Sequence, residues 1–403
     1  MRKFIFFVLA AASPFLHAQY QDSLRLNAEV RLQLDWEVGS NGITNAALFD
    51  FLSVSFINDE LKDRLTENLR GSNGIGLVQD YEIGYRQWRD STYSSWQKGF
   101  GIHYALRSRF GARISDKAVE MSLYGNAPFA GETVDLKPLA NQSISYSEIG
   151  YELIRQKKNW HFEGSLNLLF GHTYAELQTD RATAFTQEDG EYIDLDAAYN
   201  FSSSDSLLLF KGMGGSIHAQ FSYMMDRWQF GLSIRDLGIM QWGSGSWQVD
   251  ADSTFRFEGQ DIPNLFDNND ELLDGTQQRL ENSFTGQEGG SFASWLPARI
   301  GANASYQLSS AGTLRSVRAD VDHLFMPGYF PRSRFSADLQ YGDQWLLIPE
   351  LSYGGFVRFG GGISANWLHP HWQIGLSLNN VQGFVIPAAS YGLGGQIRIA
   401  YRM

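Results

Sequence analysis

Two stretches at opposite ends of the chain alternate with a period of two, and this constrains the fold more than any other feature. Leu24 to Val38 carries Leu24, Leu26, Ala28, Val30, Leu32, Leu34, Trp36 and Val38 on one side, with Arg25, Asn27, Glu29, Arg31, Gln33, Asp35 and Glu37 between them. Tyr391 to Met403 repeats the pattern, with Leu393, Ile397, Ile399 and Tyr401 against Gln396, Arg398 and Arg402. Successive strand side chains point to opposite faces, so each stretch is a strand with one apolar and one polar side. A helix would need spacings of three and four. An apolar row facing out and a polar row facing in is the signature of a transmembrane barrel strand. We expect these strands to pair and close a barrel, the Gln396, Arg398, Arg402 row joining the Arg25, Glu29, Arg31, Asp35 row in the lumen.

The same rhythm recurs along the chain. Phe100 to Ile114 sets an apolar even row against His103, Arg107, Arg109 and Arg113. Trp160 to Phe170 alternates likewise, and Ile193, Leu195, Ala197 and Tyr199 face away from Asp194 and Asp196. Further alternating runs lie near 217–223, 228–234, 300–308, 317–321, 335–341, 351–359 and 372–378. The expected fold is all-β, a transmembrane antiparallel β-barrel of about 14 strands, within a range of about 12 to 16. The clusters Gly212-Met213-Gly214-Gly215 and Gly360-Gly361-Gly362 read as turns or bends between strands.

Two segments break the period. Ile57, Leu61, Leu65 and Leu69 recur every four residues among charged neighbours, with Asn58 or Asp59 to cap the start and Gly71 to end it. This predicts a short amphipathic helix over about 57–70, in the lumen, at a mouth or under a loop. Between about 258 and 294 a polar stretch with Asp261, Asp267, Asp270, Glu271 and Asp274 reads as a long loop.

The first residues, Met1-Arg2-Lys3 followed by the apolar run Phe4 to Ala12 and ending Leu16-His17-Ala18-Gln19, have the layout of a secretory signal peptide. Cleavage is expected after Ala18, leaving 19–403 as the barrel. The absence of cysteine near the cut excludes a lipoprotein. Phe, Tyr and Trp make up 14% of the chain, as suits a barrel girdled with aromatics. A formal charge of -12 argues against nucleic acid as a partner. With no cysteine at all, disulfides and thiolate metal sites are out of reach.

Several phrases resemble a Bacteroidota-type family of outer-membrane barrels known as a domain of unknown function. They are Leu123 to Gly131 with Val134-Asp135-Leu136, Tyr146-Ser147-Glu148, Phe230 to Ile239 with Trp242, and Leu296-Pro297. That family is similar to fatty-acid-transporter-like and secretion-associated barrels. The resemblance implies a fold and an outer-membrane location, and carries no activity or site residues.

No phosphate loop and no His-Glu-x-x-His motif is present. Asp320, Asp322 and His323 form the tightest acid–histidine group, and lumen or loop histidine is the preferred reading. The 267–274 acids lack the spacing of an EF-hand. No cofactor, metal or catalytic residue is expected, and the chain is read as not an enzyme. The candidate lumen-lining residues are His103, Arg107, Arg109 and Arg113, with Asp194 and Asp196 offering opposite charge across the pore. The functions these features suggest are a passive or gated conduit for small or amphiphilic molecules, or an accessory barrel of an envelope or secretion assembly. Outer-membrane lipid is the expected partner, with envelope proteins beside it.

Overall fold

The computed structural model describes residues 28–89, 97–204, 210–243, 245–258, 290–308 and 312–403. The leader segment, the Leu24 to Asn27 start of the first strand and most of the long polar stretch lie outside the described residues.

Fourteen antiparallel strands close into one ring. In order around it they are β1 (Ala28–Ser40), β2 (Asn73–Arg89), β3 (Gln97–Ile114), β5 (Leu139–Lys157), β6 (Trp160–Thr186), β8 (Gly212–Met225) and β9 (Trp228–Trp242). The ring continues through β12 (Arg299–Gln307), β13 (Leu314–Leu324), β14 (Phe330–Tyr341), β15 (Trp345–Gly355), β16 (Phe359–Leu368), β17 (Trp372–Asn379) and β18 (Gly392–Arg402). Closure is made by β1 and β18, in the register Glu29↔Arg402, Gln33↔Arg398 and Asp35↔Gln396. Arg402 donates to Glu29 Oε2 at 3.2 Å and Arg398 to Gln33 Oε1 at 3.5 Å, so the two polar rows meet inside as the alternation requires. A closed ring leaves no unpaired edge.

The outward row is apolar and exposed. Ile83, Ile102, Leu166, Leu232, Phe335 and Leu351 are examples, each more than half exposed while their polar neighbours are buried or half-buried inside. No helix among the described residues is long and apolar enough to cross a membrane. Trp160, Trp228, Tyr341, Trp345, Trp372 and Tyr401 cluster at the end that holds the C-terminus and several short turns.

The opposite end is built up. β6 has 27 residues, more than one neighbour can cover. Its first part pairs with β8, while its far part pairs with β4 (Thr133–Asp135) on one side and β7 (Ile193–Ser204) on the other. β7 in turn pairs with β10 (Trp247–Phe257), so β7 and β10 stand beyond the ring as an added antiparallel pair. β11 (Phe292–Trp295) continues the β12 side of β9.

Three short helices sit at this end: α1 (Asn45–Ser53), α2 (Asp59–Thr66) and α3 (Asp116–Tyr124). Each is started by a side chain that takes a backbone N–H: Thr44 from Ala47, Asn58 from Leu61 and Ser115 from Ala118. α2 is the helix expected from the four-residue spacing. Its Leu61 and Leu65 pack against Ala47 of α1, with Leu123 of α3 beside them, so the helix lies at the rim. Tyr124 donates to Asp63 at 2.6 Å, which ties α3 to α2 and raises the phenol pKa above its ordinary value. The sequence reading missed α1 and α3, along with β2 and β5. α1 gives no helical spacing in the sequence because Phe51 and Leu52 stay exposed beside its buried Ala47.

The glycine clusters are not turns. Gly212–Gly215 open β8 and Gly360–Gly362 lie in β16. A side chain at Gly212 would run into Trp242 at 2.9 Å, and one at Gly360 into Asn380. These glycines are strand positions kept bare for large neighbours.

Candidate functional site

The lumen is organised by two slips of strand register. On β9 the apolar row runs Phe230, Leu232, Ile234, then resumes at Leu237 and Ile239. The pairing with β8 passes from Ile217↔Leu237 to Ala219↔Ile234, so β9 has one extra residue there. Asp236 has φ +58°, the left-handed conformation that Asp tolerates, and this bulge leaves both Arg235 and Asp236 on the inner side. A second slip on β6 lies opposite Ser145 and Tyr146 of β5. It brings Tyr146, Ser147 and Glu148 to buried positions.

The slips meet. Tyr146 donates to Asp236 Oδ1 at 2.9 Å, and both residues are fully buried. Arg109 reaches Asp236 Oδ2 at 2.7 Å and the carbonyl of Pro297 at 3.1 Å. Three of the phrases that carry the family resemblance, those around Tyr146, Asp236 and Pro297, therefore converge on one place inside the barrel.

Around it the charges form a network. Arg107, 1% exposed, is bonded to Glu148, lies 3.3 Å from Glu82 and 3.5 Å from Asp80, and approaches Asp236 at 3.7 Å. Arg109 also takes Asp80, at 3.3 Å. Arg31 bridges Glu82, at 2.8 Å, and Glu152; Arg86 bridges Glu152 and Glu163, at 2.7 and 2.8 Å. His103 and His218 stand among these acids, their ring centroids 6.3 Å apart.

A second centre lies on another wall. Asp322 of β13 accepts from Tyr329 at 2.7 Å and from Arg332 at 3.1 Å, and Arg332 also donates to Glu37 of β1 at 2.9 Å. Between the two centres a cavity of about 210 Å³ is lined by charged and polar side chains, among them Arg31, Glu82, His103, Glu152, Asp322 and Arg332, together with small and aliphatic residues such as Ala219, Ile300 and Val321.

Toward the built-up end the inner wall turns apolar. Val78, Leu324, Met326, Tyr329 and Phe356 form one buried cluster; Ile144, Leu169, Met240, Trp242 and Phe292 belong to another. Phe356 and Met326 press so closely on β2 and β3 that Gly76 and Gly111 have no room for a side chain.

Of the expected lumen-lining set, the structure brings His103, Arg107 and Arg109 together, all buried on the inner face of β3. Arg113 continues that row but ends at the mouth, exposed, where it donates to Ser72 at 2.8 Å. Asp194 and Asp196 do not cross the pore from them. They lie on the β7 strand of the β7–β10 pair, where Asp194 pairs with Arg256 and Asp196 with Arg181 of β6. The Arg256 guanidinium bonded to Asp194 holds its carboxyl below the ordinary aspartate range. The carboxylates that do face Arg107 and Arg109 are Asp80, Glu82, Glu148 and Asp236. Asp322 and His323 sit on adjacent positions of β13 and so point to opposite faces, which separates them as a catalytic pair.

Among curated proteins no match is found. Solved structures similar in overall shape include a Pseudomonas aeruginosa FadL homologue, at 10% identity and a TM-score of 0.43, covering 93% of this chain and 90% of that one. The P. putida toluene transporter TodX is similar at 9% identity and a TM-score of 0.42, over 94% and 90% of the two chains. The translocator domain of autotransporter NalP from Neisseria meningitidis is similar at 9% and 0.34, over 95% and 90%. The sequence profile of one family matches residues 30–367, most of the chain, and by that match the protein belongs to DUF5723, a family of unknown function.

Proposed function

We propose that the chain is an outer-membrane barrel acting as a gated conduit for small hydrophilic molecules, without enzymatic activity. The exposed apolar row is the surface that lipid would cover, and several short turns gathered beside the C-terminus suit a periplasmic end. The observation that carries the reading is the cavity of about 210 Å³ walled by paired charges beneath inward-pointing Tyr329 and Phe356. A passenger in such a space must exchange hydrogen bonds with guanidinium and carboxylate groups, which a small polar molecule does and an apolar one does not. The apolar cluster around Phe356 supplies the gate.

Planar-bilayer recording tests this. Wild type should open rarely and Phe356→Ala more often; no conductance and no liposome uptake of small solutes by either would sink the conduit. A second reading, an accessory barrel in an envelope assembly, is favoured by one observation. Phe51, Leu52, Val54 and Phe56 at and just after α1, with Val385 of α4 (Gln382–Val385) and Ile386 after it, leave an exposed apolar rim. Crosslinking in intact envelopes from residues on that rim should then trap one protein partner, and trapping only lipid would exclude it.

A further inference from the structure

Three donors from three strands face a common point in the lumen. His103 Nε2 of β3 lies 3.4 Å from Glu148 Oε1 of β5, and His218 Nε2 of β8 lies 3.6 Å from Glu148 Oε2. One donor atom of each residue lies within 4.8 Å of the other two. His103 and Glu148 are buried, yet neither ring nitrogen of His103 nor Oε2 of Glu148 makes a hydrogen bond. Buried polar atoms left this way cost free energy unless something else satisfies them. Arg107 engages only Oε1 of Glu148.

We propose that His103, Glu148 and His218 bind one divalent cation of the zinc class. Two imidazoles and one carboxylate are the donor types such an ion prefers, whereas Mg²⁺ and Ca²⁺ favour oxygen alone. Ligands about 2.0–2.1 Å from a tetrahedral ion lie about 3.4 Å from one another, and the two histidines stand 3.4 and 3.6 Å from separate oxygens of Glu148, so a small side-chain adjustment brings one donor of each to that spacing. The shell behind them fits as well. Glu152 Oε1 stands 2.9 Å from His103 Nδ1, off the line of an aligned hydrogen bond but within a small ring rotation of one. A carboxylate behind a histidine ligand fixes its tautomer and leaves Nε2 for the metal. His218 Nε2 is hydrogen-bonded to Asp236 Oδ1 at 3.2 Å, a contact the ion would replace, and Asp236 would then stand as negative charge beside the site. His103 and His218 both border the central cavity, which supplies the route in. The site requires the folded barrel and not conduction, so it stands whether or not the lumen passes solute.

The test uses the full chain, folded in detergent and stripped with a chelator, titrated with Zn²⁺ by calorimetry and with Co²⁺ by visible absorption. One equivalent of Zn²⁺ should bind in the presence of millimolar Mg²⁺, and Co²⁺ should give the intense bands of a tetrahedral site. His218→Gln, at a partly accessible position, and His103→Gln/His218→Gln should weaken Zn²⁺ binding by about 100-fold or more. Both variants are compared only as barrels that retain the folded, heat-modifiable gel band, and Asp194→Asn should bind like wild type. Absence of binding by folded wild type at micromolar Zn²⁺ overturns the proposal. So does binding that survives in the folded His218→Gln barrel.

Discussion

The lumen network and the outlying β7–β10 strand pair contain the same chemistry in different surroundings. Arg107 with Glu148 and Asp236 is an arginine between carboxylates, and so is Arg181 with Asp196 and Asp252. Arg107 is 1% exposed, while the Arg181 side chain is 43% exposed. Water and salt screen the outer pairs, so each contributes little beyond its geometry. Arg107 is too buried for water to take the place of a lost partner readily, so removing its charge leaves buried carboxylates short of a cation. The difference is burial, and it decides which charges the barrel depends on.

Mutation can break or sharpen that contrast. The largest effect is expected from Arg107→Ala, which leaves buried Glu148 without an arginine and takes one of two cations from Asp80, Glu82 and Asp236; it should cost about 3–5 kcal/mol, read as a lowered urea midpoint of the folded barrel. Tyr146→Phe removes one hydrogen bond to the buried Asp236 carboxylate and should cost about 1.5–3 kcal/mol in the same assay. Gly111→Val pushes against Met326 and Pro327 and should cost about 1–3 kcal/mol, with raised open probability in bilayers if the loop yields. At the small end, Asp194→Asn should leave the urea midpoint unchanged within error. A shift for Asp194→Asn as large as that for Arg107→Ala would erase the distinction between the two regions.

Alternation made much of this legible. It marks which residues share a side, and so placed Arg107 and Arg109 in one row and paired the two end strands. It does not report how far along the barrel a strand sits. Asp194 and Asp196 alternate as cleanly as any lumen row, yet β6 outruns the ring and carries them beyond it. Nor does it identify partners across the lumen, since Glu148 and Asp236 lie far from Arg107 in sequence. One signal was available: the apolar row of β9 slips phase between Ile234 and Leu237, which is the bulge that turns Asp236 inward. The metal donors gave no such sign, because three residues on three strands make no motif.

That slip also locates the most direct test of the inside-out barrel on neighbouring residues. The chain has no cysteine, so a single introduced thiol reports without background. Leu232 is 60% exposed on the outer face, and Ser233 lines the central cavity. In the barrel reconstituted into liposomes, Ser233→Cys should react with a small charged methanethiosulfonate, while Leu232→Cys should stay protected by lipid and react only after detergent is added. The reverse order of reactivity would contradict a polar, water-accessible lumen inside a lipid-facing wall.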